Sequence, residues 1–236
     1  GDRTNIELPK VQRGFLKALK EAGKKVVFVS CSGSAIALTP ETQTCDAILQ
    51  AWYPGQEGGE AVARVLFGEY NPSGKLPITF YKNSEQLPDF KDYSMKGRTY
   101  RYMNDALFPF GYGLSYTAFN IGDASLSSST LKKGEQITLK VPVSNVGKKD
   151  GTEIVQVYVK DPTDADGPLK SLKAFQRVEV KAGQTAEATI TLDSKNFELF
   201  DASTNTVRAK AGNYEVYYGN SSADKDLKKV NVTFAY

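Results

Sequence analysis

The hydrophobic positions of this chain follow two different rhythms. From Leu8-Pro9, Val11, Phe15, Leu19 and Ala22 recur at helical spacing, and Gly23 stops the run. Proline near the first helical position costs no hydrogen bond, because that N–H has no partner in a helix. Val26-Val27-Phe28-Val29 follows, and Ala47-Ile48-Leu49, ending at Trp52, repeats the type. Short continuous apolar runs are how parallel strands covered on both faces read. A turn, Tyr53-Pro54-Gly55-Gln56, leads to a helix from about Glu57 to Phe67, ended by Gly68. Pro77-Ile78-Thr79-Phe80 reads as a third strand. Residues 82–117 are irregular and rich in Tyr, Gly and Pro, a connection long enough to carry function or clamp domains together.

Beyond residue 117 the rhythm changes to strict alternation. Ile137, Leu139, Val141 and Val143 alternate with polar residues. So do Val155, Val157 and Val159; Ala188, Ile190 and Leu192; Tyr214, Val216 and Tyr218; and Val230, Val232 and Phe234. Period two marks strands with one buried face. Turn signals at Lys133-Gly134, Asn145-Val146-Gly147, Asp150-Gly151, Ala182-Gly183 and Ala211-Gly212 separate them. About seven short strands without helical periodicity predict a β-sandwich. The reading is therefore α/β over 1–117 followed by an all-β sandwich over 118–236, with the boundary near Thr117. Sheets of the parallel type usually hold about 5–6 strands. The α/β part is thus expected to be the C-terminal piece of a larger domain, its other strands lying upstream of Gly1.

Composition narrows the chemistry. The chain of 236 residues carries a net charge of only +3, with acids and bases interspersed, which argues against a nucleic-acid binder. No apolar run approaches the ~18 residues of a membrane helix. There is no histidine, so a Ser-His-Asp or Cys-His nucleophile system is excluded within the chain and the commonest zinc ligand is missing. No metal or other cofactor is expected. Cys31 closes one apolar run and Cys45 opens the next. On parallel strands the two thiols would lie near opposite sheet ends, which argues against a disulfide and for two small buried side chains.

Five segments in order resemble glycoside hydrolase family 3. They are Gly1-Asp2-Arg3-Thr4 with Leu8-Pro9 and Gln12; Ala51-Trp52-Tyr53-Pro54-Gly55-Gln56-Glu57-Gly58-Gly59; Asn71-Pro72-Ser73-Gly74-Lys75-Leu76-Pro77; Arg98-Thr99-Tyr100-Arg101-Tyr102 with the run from Phe108 to Tyr116; and Val143-Ser144-Asn145-Val146-Gly147 with Asp150-Gly151 and Val155-Gln156-Val157-Tyr158. The resemblance covers nearly the whole chain. It implies the C-terminal portion of an exo-acting, retaining β-glycosidase, with a partial α/β sandwich domain and a fibronectin type III-like domain. Retention needs two carboxyl groups ~5–5.5 Å apart. In the family the nucleophile is an Asp on an upstream (β/α)8 barrel, and the acid/base is typically a Glu shortly before the "DR" pair. Neither is expected within this chain, so no catalytic residue is assigned. The expected partners are that barrel and an oligosaccharide substrate. The stretch from Leu87 to Tyr102 looks more like the β-xylosidase branch than the β-glucosidase one. A periplasmic or secreted location is the expectation.

Loops at the C-terminal ends of parallel strands are where open α/β sheets build sites. The candidates there are Ser32, Trp52, Tyr53 and Gln56, either orienting and stacking on sugar or forming a satisfied turn. Arg3 joins them, paired with Asp2 beside the missing acid/base or in an ordinary loop salt bridge. In xylosidase-like members an insertion precedes "GRTYR", which points to Asp92, Tyr93 or Met95 at the pocket entrance or to a plain linker; Asp92 and Met95 complete the candidate set. Glu57 and Glu60 fit a helix N-terminus better than catalysis. The aromatics Tyr100, Tyr102, Phe108, Phe110, Tyr112 and Tyr116 fit packing better than a carbohydrate platform. The Asn220-Ser221-Ser222 and Asn231-Val232-Thr233 patterns are read as chance. The rival class is a non-catalytic carbohydrate-binding or scaffold module.

Overall fold

A computed structural model describes residues 4–236. Arg3, and with it the Asp2-Arg3 pair, lies outside the described residues. The chain forms two compact units interleaved in sequence: one from residues up to 70 together with 77–110, the other from 71–76 together with 111–236.

The first unit is α/β. Helix α1 (Lys10–Glu21) follows Pro9 and ends where Gly23 takes the left-handed backbone, φ 71°, a conformation glycine adopts without penalty. Strands β1 (Val27–Ser30) and β2 (Ala47–Gln50) pair in parallel, Val27 opposite Ala47 and Ser30 opposite Gln50. The short helix α2 (Glu41–Thr44) lies between them in sequence, and α3 (Gly58–Leu66) and α4 (Thr99–Tyr102) follow. Asp46 lies just before β2. Its carboxylate accepts the Val26 N–H at 2.9 Å and the Lys25 ammonium at 3.1 Å. Those bonds, the backbone one first, hold its pKa down at about 2. Buried Glu41 receives a two-pronged grip from Arg13, 2.7 Å from Nε and 3.3 Å from Nη2, which fastens α1 to α2.

Four expectations change here. Pro77–Phe80 is not a third parallel strand; only Phe80 bridges, antiparallel, to Phe108. Among the described residues its backbone bonds fall at the ends, Leu76 N to Tyr112 O and Phe80 N to Phe108 O, both at 2.9 Å, so no continuous ladder forms across Pro77 to Thr79. The strands are not covered on both faces among the described residues, since Val27 is half exposed. On α1, Leu16 is buried, whereas Val11 and Phe15 are 84% and 62% exposed. The predicted apolar face is therefore the uncovered one. Cys31 is exposed and Cys45 buried, and both are free thiols.

The second unit is a sandwich. Its strands are β3 (Phe119–Ile121), β4 (Ser125–Leu126), β5 (Thr130–Lys132), β6 (Gln136–Asn145), β7 (Gly151–Lys160), β8 (Ser171–Val180), β9 (Thr185–Asp193), β10 (Leu199–Asp201), β11 (Thr206–Arg208), β12 (Gly212–Gly219) and β13 (Leu227–Ala235). One sheet runs β5-β13-β12-β7-β8; the other runs β3-β6-β4, with β9 also on β6; β10 and β11 form a separate hairpin. The alternating residues read from the sequence make the core: Val141, Val157, Ala188, Val216 and their neighbours are fully buried. Asn145, buried at the end of β6, has every hydrogen-bonding group occupied. Its amide donates to Lys149 O and Val180 O, and its carbonyl accepts from Thr117 Oγ1 and Gly147 N. Tyr214 Oη bonds back to the Lys210 backbone four residues upstream, both accepting and donating at 2.9 Å.

Two connections are sewn onto this sandwich. Segment 71–76 is held by Asn71, which donates to Asp150 O and accepts from Ser115 Oγ and Tyr116 N. An ion pair from part-buried Lys75 Nζ to the buried Glu153 Oε1, at 2.7 Å, holds its other end. At Gly111 the chain crosses the outer face of β7, where a buried network ties it down. Gln156 Nε2 donates to Gly111 O at 3.0 Å and Asn220 O at 2.9 Å, and Tyr158 Oη donates to Gln156 Oε1 at 2.5 Å.

Candidate functional site

The C-terminal ends of β1 and β2 are laced together by polar side chains. Gln50, opposite Ser30, donates through Nε2 to Ser32 O at 3.2 Å and to Ser32 Oγ at 3.1 Å. Ser32 Oγ in turn donates to Ser34 O at 3.0 Å. The single proton of Ser32 is therefore committed within its own turn, and Gln50 organises that turn. In the sequence Gln50 falls inside the run that ends at Trp52, so nothing in the pattern singles it out.

Trp52 stands directly after β2 with φ 56°. A left-handed backbone is uncommon for a bulky residue, and such outliers gather at ligand sites. Its ring meets Phe80 edge to face at 6.2 Å. Tyr53 is 78% exposed. Its ring lies on Gly33 so closely that a Cβ at 33 would sit 2.5 Å from Cε2. The structure thus brings the Ser32-Gly33 turn and Tyr53 into contact, with Trp52 adjacent in the chain. Gln56 is exposed in the turn before α3. Pro54 packs where a Cβ at Gly58 would stand, 2.3 Å away, so glycine at 58 lets the helix start against the turn.

Asp92 and Met95 belong to a separate local structure, the 87–98 loop. Asp89 and Asp92 each accept a backbone N–H two residues on, from Lys91 and Ser94 at 2.8 Å. Arg98 Nη2 donates to Asp89 O at 3.0 Å and Asp92 O at 2.9 Å. The Ser94 N–H, the Ser94 hydroxyl and the Arg98 charge hold the Asp92 carboxyl below its usual range. An ionised carboxylate of this kind accepts hydroxyl protons but donates none. Met95, half exposed, and Thr99 also adopt left-handed backbone, φ 62° and 55°, and the Thr99 N–H donates to Tyr81 Oη at 3.3 Å. Tyr81, which also shapes this loop, was not singled out in the sequence, and Arg98 entered only as part of the Arg98-to-Tyr102 segment and not as a site residue.

The aromatic cluster divides between the units. Tyr100 stacks on Phe110 at 4.4 Å and Phe108 meets Phe80 at 6.2 Å in the first. Tyr112 lies in the second, where burial pushes its hydroxyl pKa up. Glu60 pairs loosely with Arg64 across a helical turn at 3.9 Å, a structural role.

Fold and local geometry thus define a class: an α/β unit with polar and aromatic side chains at its strand ends, followed by a fibronectin type III-like sandwich. Residues 1–116 match the glycosyl hydrolase family 3 C-terminal domain and residues 153–222 the fibronectin type III-like domain. The chain is 63% identical over 233 residues to a xylan 1,4-beta-xylosidase of Xylanibacter ruminicola, covering 99% of this chain and 27% of that protein. It is 40% identical over 235 residues to a periplasmic beta-glucosidase of Salmonella typhimurium, covering 94% and 31%. Among solved structures, a β-glucosidase from Erythrobacter marinus superposes with a TM-score of 0.86 at 32% identity, covering all of this chain and 31% of its own. A β-glucosidase from Listeria innocua in complex with glucose gives 0.85 at 31%, covering all of this chain and 34% of its own. The chain belongs to glycosyl hydrolase family 3, as the C-terminal portion. It spans about a quarter to a third of the length of these relatives.

Proposed function

We propose that this chain is the C-terminal portion of an exo-acting, retaining β-xylosidase that removes terminal β-linked sugars from oligosaccharides. The observation that carries the reading is the 63% identity, over 99% of the chain, to a protein named xylan 1,4-beta-xylosidase, against 40% to one named beta-glucosidase. In this reading the two reacting carboxylates lie elsewhere in the polypeptide, the nucleophile on an upstream (β/α)8 barrel. This chain supplies binding groups. Tyr53 offers an exposed aromatic face and Trp52 a rigidly set one, Gln56 an exposed amide, and Asp92 and Met95 a loop at the entrance. Ser32 acts through its turn, since its proton is already committed. A periplasmic or secreted location belongs to the same proposal, supported by the periplasmic relative.

The test is substrate preference of the complete polypeptide that carries this chain. The expected result is a kcat/KM for an aryl β-xyloside at least about tenfold above that for the matching β-glucoside, a difference of about 1.4 kcal/mol in transition-state binding. Equal or reversed preference would replace xylosidase by glucosidase.

A further inference from the structure

The sandwich unit holds a half-open cavity of about 270 Å³ at one end of its sheets, lined by the 72–75 and 113–119 segments with Thr152, Glu153 and Asn220. We infer that it binds one neutral monosaccharide. The inference goes beyond the hydrolytic reading and does not depend on it.

Three observations carry it. The first is charge: the Glu153 side chain is buried, at 4% exposure, and the Lys75 ammonium faces it in an ion pair at 2.7 Å. A site whose buried charges cancel favours a neutral polar guest over an ion. The second is unused hydrogen-bonding capacity. The carboxylate offers about four acceptor positions. Lys75 and Ile154 N occupy Oε1, and Asn220 Nδ2 occupies one position on Oε2 at 3.1 Å. Of the three Lys75 protons, one goes to Glu153 and one to Gly113 O at 3.4 Å. One acceptor and one donor stay adjacent, which is what two neighbouring sugar hydroxyls, each donating and accepting, would complete. The Ser73 and Thr152 hydroxyls on the lining take no hydrogen bond among the described residues. The third is shape. At about 30 Å³ per water the space holds about nine waters, room for one sugar ring and not for a chain of them. Leu114, 72% exposed on the lining, gives the ring's C–H face an apolar neighbour.

The experiment titrates the ¹⁵N-labelled full chain with D-xylose, D-glucose and, as an open-chain polyol, glycerol. Either sugar is expected to give saturable millimolar shifts at the amides of Thr152, Glu153, Gly113 and Asn220. Thr152→Val, nearly isosteric on its strand, is expected to weaken binding by roughly threefold, the worth of one ordinary hydrogen bond. Leu114→Ser, a change on an exposed side chain, gives an independent loss should the first variant not fold. Shifts that fail to saturate, that glycerol reproduces, or that map only to Trp52 and Tyr53 would overturn the inference and leave a water-filled cavity. None of these outcomes bears on hydrolysis by the complete polypeptide.

Discussion

Gly111→Ala and Gly134→Ala make the same chemical change at two glycines with nearly the same backbone, φ 78° and 86°. An L-residue in that conformation costs about 1–2 kcal/mol. At Gly134 nothing lies within 4 Å of the added methyl, so this backbone cost is the whole effect. At Gly111 the methyl would fall 1.9 Å from Gln156 Oε1 and 3.0 Å from Nε2. Gln156 must retreat by more than an ångström, breaking its bonds to Gly111 O and Asn220 O and the one it accepts from Tyr158. Gln156 is buried, at 3% exposure, so its stranded amide groups cannot turn to water. Each unsatisfied buried group costs about 1–3 kcal/mol. With the two ends of the Gln156 amide stranded on top of the backbone cost, Gly111→Ala should destabilise by about 3–8 kcal/mol and Gly134→Ala by about 1–2. The assay is urea unfolding followed by far-UV circular dichroism, because the single tryptophan, Trp52, lies in the other unit. Equal losses within about 1 kcal/mol would refute the claim that the Gln156 network clamps the chain at Gly111.

Two further perturbations follow from buried or well-held charges. Lys75→Met strands the Glu153 carboxylate and should cost about 3 kcal/mol, while Lys75→Met with Glu153→Leu should recover most of it; a double variant as unstable as the sum of the singles would show that the pair does not act as a unit. Asp46 binds its proton less tightly folded, at about 2, than unfolded, at about 3.9. Its contribution is complete above the unfolded value and disappears as pH falls through the folded one. Asp46→Asn should therefore flatten the acid-side decline of the Trp52-monitored melting temperature, and an unchanged slope would remove Asp46 from that account.

The sandwich was legible because one face of each strand is buried and alternation records it: Ile137 to Val143 and Tyr214 to Tyr218 lie where period two places them. β8 escaped notice because a register shift opposite Val157/Tyr158 interrupts it and its mid-strand Phe175 is 67% exposed. The α/β unit was legible in β1 and β2 but misread at Pro77–Phe80, where an apolar run looks the same whether it joins a parallel ladder or makes a single antiparallel bridge. On α1 the helical spacing was right, but Val11 and Phe15 mark the uncovered side and Leu16 the inner one. Among the candidate site residues, Ser32, Trp52 and Tyr53 were visible as turn residues after apolar runs. The commitment of Ser32 to Gln50 and Ser34, and the left-handed backbone at Trp52, are properties of tertiary structure. The Lys75–Glu153 pair and the Gln156–Gly111 bond join residues far apart in sequence, and no local pattern announces them.

The measurement that bears most directly on the whole account is turnover of an aryl β-xyloside by this 236-residue chain alone, beside the complete polypeptide. The account predicts hydrolysis by the complete polypeptide and none by the chain, because the reacting carboxylates are assigned outside it. Hydrolysis by the purified chain, or inertness of the complete polypeptide, would contradict it.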